Sequence, residues 1–157
     1  MEGIPEITAL LPHRSNLLLV DRIVELVPGD RVVATKAVSY GEVWYRADRG
    51  MPQEVAYPCA ILLESFNQAC ALLVMATWTG DGTDVLSAGV PMLGSYTNAT
   101  FGAEVRPGDV IRHEINIVRT LEDSIFLAGR CTVDGRSVLE VERGMALRRS
   151  AQILRSV

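Results

Sequence analysis

The stretch over residues 60–78 constrains this chain more than any other. It is apolar and long enough to raise the question of a membrane span, but Glu64, Asn67 and Gln68 interrupt it at spacings that give a helix one polar stripe. That pattern fits a buried core helix and not a lipid-facing one. Pro58 stands where a helix begins, since the first turn has no use for a proline N–H, and Gly80-Asp81-Gly82 follows as a stop signal. The reading is a helix over residues 59–78, apolar nearly all round, with Ile61, Phe66, Ala69, Leu73 and Ala76 facing the core. Such a helix must be buried on most sides.

The rest of the chain reads as the material that covers it. Residues 7–11 form a short helical turn ended near Pro12. Residues 17–26 and 31–38 read as a strand pair joined by the turn Pro28-Gly29-Asp30. Residues 42–57 have no period and carry Trp44, Tyr45 and Tyr57, which marks a long ordered loop of the kind that often holds function. After the helix, residues 85–96, 98–104, 110–121, 124–133 and 137–147 are candidate strands. Turns separate the later ones at Arg106-Pro107-Gly108-Asp109, Glu122-Asp123 and Asp134-Gly135, the last a strong hairpin signal. Residues 148–157 read as a frayed or exposed end. The predicted class is α+β, with a curved antiparallel sheet around one long helix in a single domain over residues 1–157.

Composition excludes several functions. The net charge of -4 and the presence of one lysine, Lys36, argue against a nucleic-acid footprint. Cys59, Cys70 and Cys131 are odd in number and form no CxxC pair, so neither a disulfide framework nor a zinc site is expected. This usage fits a reducing cytosol, and residues 1–11 lack the basic region of a signal peptide. A mean hydropathy of +0.20 is high enough to suggest surface buried against a partner.

Three segments carry a family resemblance. Leu10-Leu11-Pro12-His13-Arg14 with Leu17-Leu18-Leu19-Val20-Asp21-Arg22 resembles the opening L-P-H-R-x-P-x-L-L-V-D-R of the (3R)-hydroxyacyl-[acyl-carrier-protein] dehydratases of type II fatty-acid synthesis. Tyr57-Pro58-Cys59-Ala60-Ile61-Leu62-Leu63-Glu64-Ser65-Phe66-Asn67-Gln68-Ala69 is similar to that family's M-P-G-V-L-I-L-E-A-M-A-Q-A. Val105-Arg106-Pro107-Gly108-Asp109 looks like its V-x-P-G-D. The segments stand in the family's order over nearly the whole chain. The resemblance implies a hot-dog fold, a homodimer or heterodimer with a homologous subunit, further assembly into a hexamer, and a site between protomers. It also implies a substrate carried on the phosphopantetheine arm of acyl carrier protein, with no other cofactor and no metal.

Eliminating water from a 3-hydroxyacyl thioester needs a base for the α proton, an acid for the departing hydroxyl and amide donors for the thioester oxygen. The resemblance assigns the acid to Glu64. The structural reading of Glu64 is a glutamate paired with a nearby arginine, or one placed for the helix dipole. The family's histidine base belongs in the loop before the helix, as G-H-F-P-G-H-P, and residues 42–55 contain no histidine. One alignment puts Asp48 in its place, another Gly50; Asp48 is then either a substitute base or a solvated loop charge beside Arg46 and Arg49. His13 and His113 read as structural or surface residues, with alternation able to turn His113 outward. Tyr57, Cys59, Ala60, Gln68 and Phe101 are the candidates for contact with the acyl arm. Basic residues before the V-x-P-G-D turn, which meet the acidic carrier protein in the family, are missing here, leaving Arg14, Arg46 and Arg49 as substitutes.

Three functions remain open from sequence. The chain is a dehydratase with an Asp48/Glu64 pair in fatty-acid or polyketide synthesis, a non-catalytic partner of a histidine-bearing homologue, or an acyl-thioesterase or acyl-binding relative.

Overall fold

The computed structural model describes residues 3–45, 55–80 and 90–149. A short helix α1 (Ile4–Leu10) precedes strands β1 (Arg22–Val27) and β2 (Arg31–Ala37). The long helix α2 (Cys59–Thr79) follows, and then β3 (Val90–Phe101), β4 (Val110–Leu121), β5 (Ser124–Val133) and β6 (Arg136–Arg149). The six strands form one sheet in the order β1-β2-β4-β5-β6-β3, antiparallel throughout.

The apolar character of α2 is what the sheet answers. Phe66, Ala69, Leu72, Leu73 and Val74 are all at most 1% exposed. They pack with Ile23, Val32 and Ala34 from the first hairpin and Ile111, Ile115, Ile125, Leu127 and Leu139 from the second half of the sheet. Full burial of one such side chain contributes about 1.5–3 kcal/mol. Ile61, expected in the core, is only half-buried, because the sheet leaves the first turn of α2 partly open. The helix begins on Pro58, whose carbonyl accepts from the N–H groups of Ile61 and Leu62, and Gly80 follows its last turn.

Two hairpins match their turn signals. At Asp134-Gly135 both residues have positive φ, 48° and 77°, as a two-residue turn between right-twisted strands requires. Gly29 has φ 80° at the β1–β2 turn. Gly129 has a different reason: a Cβ there would lie 2.6 Å from the Glu114 carbonyl oxygen and 2.9 Å from Ile115. Only glycine lets β4 and β5 approach so closely where the sheet bends.

Three boundaries differ from the sequence reading. Residues 17–21 do not join the β1 ladder as a regular strand. Ser15–Leu17 form a 3-10 turn, and the backbone groups of Leu17 and Leu19 are taken by side chains of α2. Residues 90–101 form one strand, not two. Asn98 adopts φ 51°, which asparagine tolerates, and pairing continues on both sides of it, Thr97 with Arg143 and Ala99 with Val141. Finally, Arg148 is part of β6, which runs to Arg149, and stacks its guanidinium 5.1 Å from the centre of the Trp78 ring; the rest of the expected end lies outside the described residues.

Candidate active site at the start of the central helix

One stripe of α2 escapes the sheet. Ala60, Leu63, Glu64, Asn67 and Ala71 recur at helical spacing and are exposed or partly open, on a helix whose middle is buried on its other sides. Glu64 lies in the middle of this stripe. Its Oε1 accepts from Gln68 Nε2 at 3.0 Å, one turn on. Its Oε2 lies 3.4 Å from Asn67 Nδ2. His13 Nε2 is 3.6 Å from Oε1, with the two side chains 32% and 39% exposed.

Each of these neighbours is itself held. Gln68 is buried, donates to the Leu17 carbonyl at 2.7 Å and accepts from the Leu19 N–H at 2.8 Å. It therefore clamps the opening segment to α2 while fixing one Glu64 oxygen. Asn67 Oδ1 accepts from the Tyr96 hydroxyl on β3. Burial pushes the Tyr96 phenol up, with Cys70 and the charge of Glu64 adding to the effect, so it stays a neutral donor. Arg14 donates to the carbonyls of Thr8, Leu11 and His13. Its guanidinium caps the end of α1 and remains an exposed positive charge beside the site.

The neighbouring residue, Ser65, points the other way. Its hydroxyl donates to the Leu19 carbonyl at 2.6 Å. With that proton spent, Ser65 Oγ accepts from His113 Nε2 at 2.9 Å, and His113 Nδ1 accepts from the Cys131 thiol at 3.0 Å. This assigns the Nε2–H tautomer by donor accounting. His113 is 0% exposed, and burial lowers its pKa to about 3. It faces inward, in phase with buried Ile111 and Ile115, which corrects the outward reading. That two-residue phase was the available signal. The cluster was missed because polar residues far apart in sequence give no sign of meeting.

The other sequence candidates separate. Cys59 and Ala60 are exposed on the first turn of α2, where unpaired N–H groups and the helix dipole suit a developing oxyanion. Tyr57 is buried at 4%. Its N–H donates to the Val105 carbonyl, its ring meets Trp44 edge-on, and its hydroxyl lies 3.5 Å from Glu42 Oε2. Burial, with Glu42 close by, pushes that phenol up. Glu42 also pairs with Lys36 at 3.1 Å, which makes the lysine a buried brace for the loop. Phe101 is exposed at the far end of β3, five residues from Tyr96 and thus about 16 Å along the strand; the structure does not bring it to Glu64 of its own chain. Asp48, Arg46, Arg49 and Gly50 lie outside the described residues. An open groove of 630 Å³ on the sheet is lined by residues such as Asn98, Glu114, Arg130 and Glu142, and by none of α2.

A curved antiparallel sheet wrapped around one long helix defines a hot-dog domain. The chain belongs to the FabA-like family, whose domain matches residues 11–142. It is 37% identical over 142 residues to the 3-hydroxyacyl-[acyl-carrier-protein] dehydratase FabZ of Chloroflexus aggregans, covering 90% of this chain and 93% of that one. It is 34% identical over 142 residues to the FabZ of Clostridium novyi, covering 89% and 93%. Among solved structures, the dehydratase heterocomplex ApeI:P from Xenorhabdus doucetiae superposes with a TM-score of 0.76 at 15% identity, covering 94% of this chain and 93% of that one. A hypothetical thioesterase from Streptococcus pneumoniae superposes with a TM-score of 0.59 at 14% identity, covering 82% and 88%. Both structural likenesses concern the fold.

Proposed function

We propose that this chain is a 3-hydroxyacyl-thioester dehydratase, acting on acyl carrier protein substrates in fatty-acid or polyketide synthesis, with Glu64 as its general acid. The observation that carries this is the placement of Glu64. It is the one carboxylate on the open stripe of α2, oriented by Gln68 and Asn67 rather than neutralised by an arginine. Elimination of water is redox-neutral, so the reaction needs no cofactor beyond the phosphopantetheine that carries the acyl chain. Cys59 and Ala60 N–H groups serve the thioester oxygen. The base is a second residue, for which Asp48 is one candidate from the sequence.

A second reading has its own support. The loop has no histidine, and a dehydratase built as a heterocomplex shares this fold. In that reading the chain is a subunit that donates Glu64 and leaves the base to a homologue. Strand β3 is the place for such a partner, or for a second copy. It is an edge strand with Met92 and Phe101 exposed. The three free thiols suit a cytoplasmic protein.

Mass spectrometry of 3-hydroxyacyl and enoyl thioesters on carrier protein tests the proposal. The purified chain is expected to interconvert them, and Glu64→Gln is expected to abolish this. Turnover that appears only with a histidine-bearing homologue establishes the subunit reading. Hydrolysis of the thioester without dehydration overturns both and leaves a thioesterase.

A further inference from the structure

The whole sequence contains two histidines, His13 and His113. His113 is sealed in the core with both ring nitrogens engaged. His13 is therefore the one imidazole this chain can bring to a substrate, and the fold sets it 3.6 Å from the proposed acid. The separation is longer than a direct hydrogen bond, so neither group seals the other. Both side chains are partly open, Glu64 on the stripe of α2 that the sheet does not cover and His13 on the opening segment beside it. The other ring nitrogen, His13 Nδ1, has no hydrogen-bond partner among the described residues, so no donor there forces the proton onto Nε2.

Resting on the dehydratase reading above, we propose that His13 replaces the missing loop histidine as the base, so that acid and base come from one chain. In the reactive state His13 Nε2 is unprotonated and Glu64 carries a proton. Nε2 takes the α proton; the C–H pair becomes the Cα=Cβ bond; the Cβ–O bond breaks; the Glu64 proton joins the departing hydroxyl as water. The site is left as imidazolium and carboxylate 3.6 Å apart. One proton passing from His13 to Glu64, directly or through the product water, restores it. Nothing else is consumed.

The pair must hold one proton in total. Turnover is therefore expected to fall on the acid side as a second proton enters and on the alkaline side as the single proton leaves. Among the described residues, the groups facing Glu64 are few. Asn67 and Gln68 come from α2, His13 from the opening segment, and Tyr96 from β3 acts through Asn67 with Cys70 behind it. Arg14, next to His13, is turned to backbone carbonyls.

The test is steady-state dehydration by the full chain and by His13→Gln and His13→Ala, with thermal melts to confirm folding. His13→Gln is expected to lower kcat by about 10²–10⁴, and added imidazole to restore part of the loss in His13→Ala. Turnover by His13→Gln within about tenfold of wild type overturns the assignment, as does loss in Asp48→Asn with His13→Gln intact; both leave the dehydratase reading standing. Turnover that requires a histidine-bearing homologue overturns His13 as base while keeping the chain as a dehydratase subunit. Dehydration by neither composition overturns both. If the variants do not fold, the wild-type profile decides: a kcat/KM that does not change with pH overturns the assignment.

Discussion

Glu64 and Ser65 are consecutive on α2, and each meets a histidine, but the helix turns them to opposite environments. Glu64 lies on the open stripe, with His13 at ion-pair distance and both side chains partly exposed. Ser65 lies on the buried side, and its histidine is closed into a chain from Cys131 to the Leu19 carbonyl. The family pattern resembled by this helix has alanine at the Ser65 position. The polar chain is thus an addition to a core that the fold can build from apolar groups. The contrast is one of completeness: the His113 cluster satisfies its donors in the core, whereas the Glu64 cluster stays partly open, as the proposed chemistry requires.

Exchanging the two roles breaks the comparison most sharply. Glu64→Gln is expected to reduce turnover by about 10²–10⁴ while changing the melting temperature little, since Gln68 still finds an amide oxygen and only the long contact to Asn67 is lost. Ser65→Ala is expected to do the reverse. It strands the His113 Nε2–H and the Leu19 carbonyl and costs about 1–3 kcal/mol, measured by denaturant unfolding. Replacing the cluster together, Ser65→Ala with His113→Met and Cys131→Ala, is expected to recover part of that loss, because only the Leu19 carbonyl is then left unpaired.

A smaller effect is set by pH. His113 has a folded pKa of about 3, below its unfolded value of about 6.5. The folded state binds fewer protons in that interval, so stability from this group is full above pH 6.5. It is lost as pH falls toward 3, by up to about 1.4 kcal/mol per unit. Thermal melts over this window are expected to fall for wild type and to flatten in His113→Met within the triple variant. The smallest effect belongs to Tyr96→Phe, which removes one hydrogen bond to Asn67 and is expected to cost about 0.5–1.5 kcal/mol, with a few-fold change in turnover from a less fixed Asn67.

Much of this arrangement is local and was legible in the chain. The extent of α2 follows from Pro58, an apolar run and Gly80, and the last hairpin from Asp134-Gly135, because helix period and turn geometry act over a few residues. The likeness in the opening and helix segments pointed to Glu64 as well. Other features needed contacts between distant residues. Residues 17–21 look like strand, yet their backbone groups go to Gln68 and Ser65, 46 to 51 residues further on. Asn98 reads as a break, yet β6 holds the strand through it.

The sequence by itself determined that this protein has a single exposed-edge helix to wrap, a carboxylate on that edge and two histidines. Which histidine meets the carboxylate was decided by tertiary structure alone. His113 falls in phase with Ile111 and Ile115 and goes inside. His13 is drawn to Glu64 because Gln68 clamps its segment onto the helix. The physical reason is that periodicity fixes the face a residue points from, whereas the partner it meets there depends on how the sheet closes around the helix.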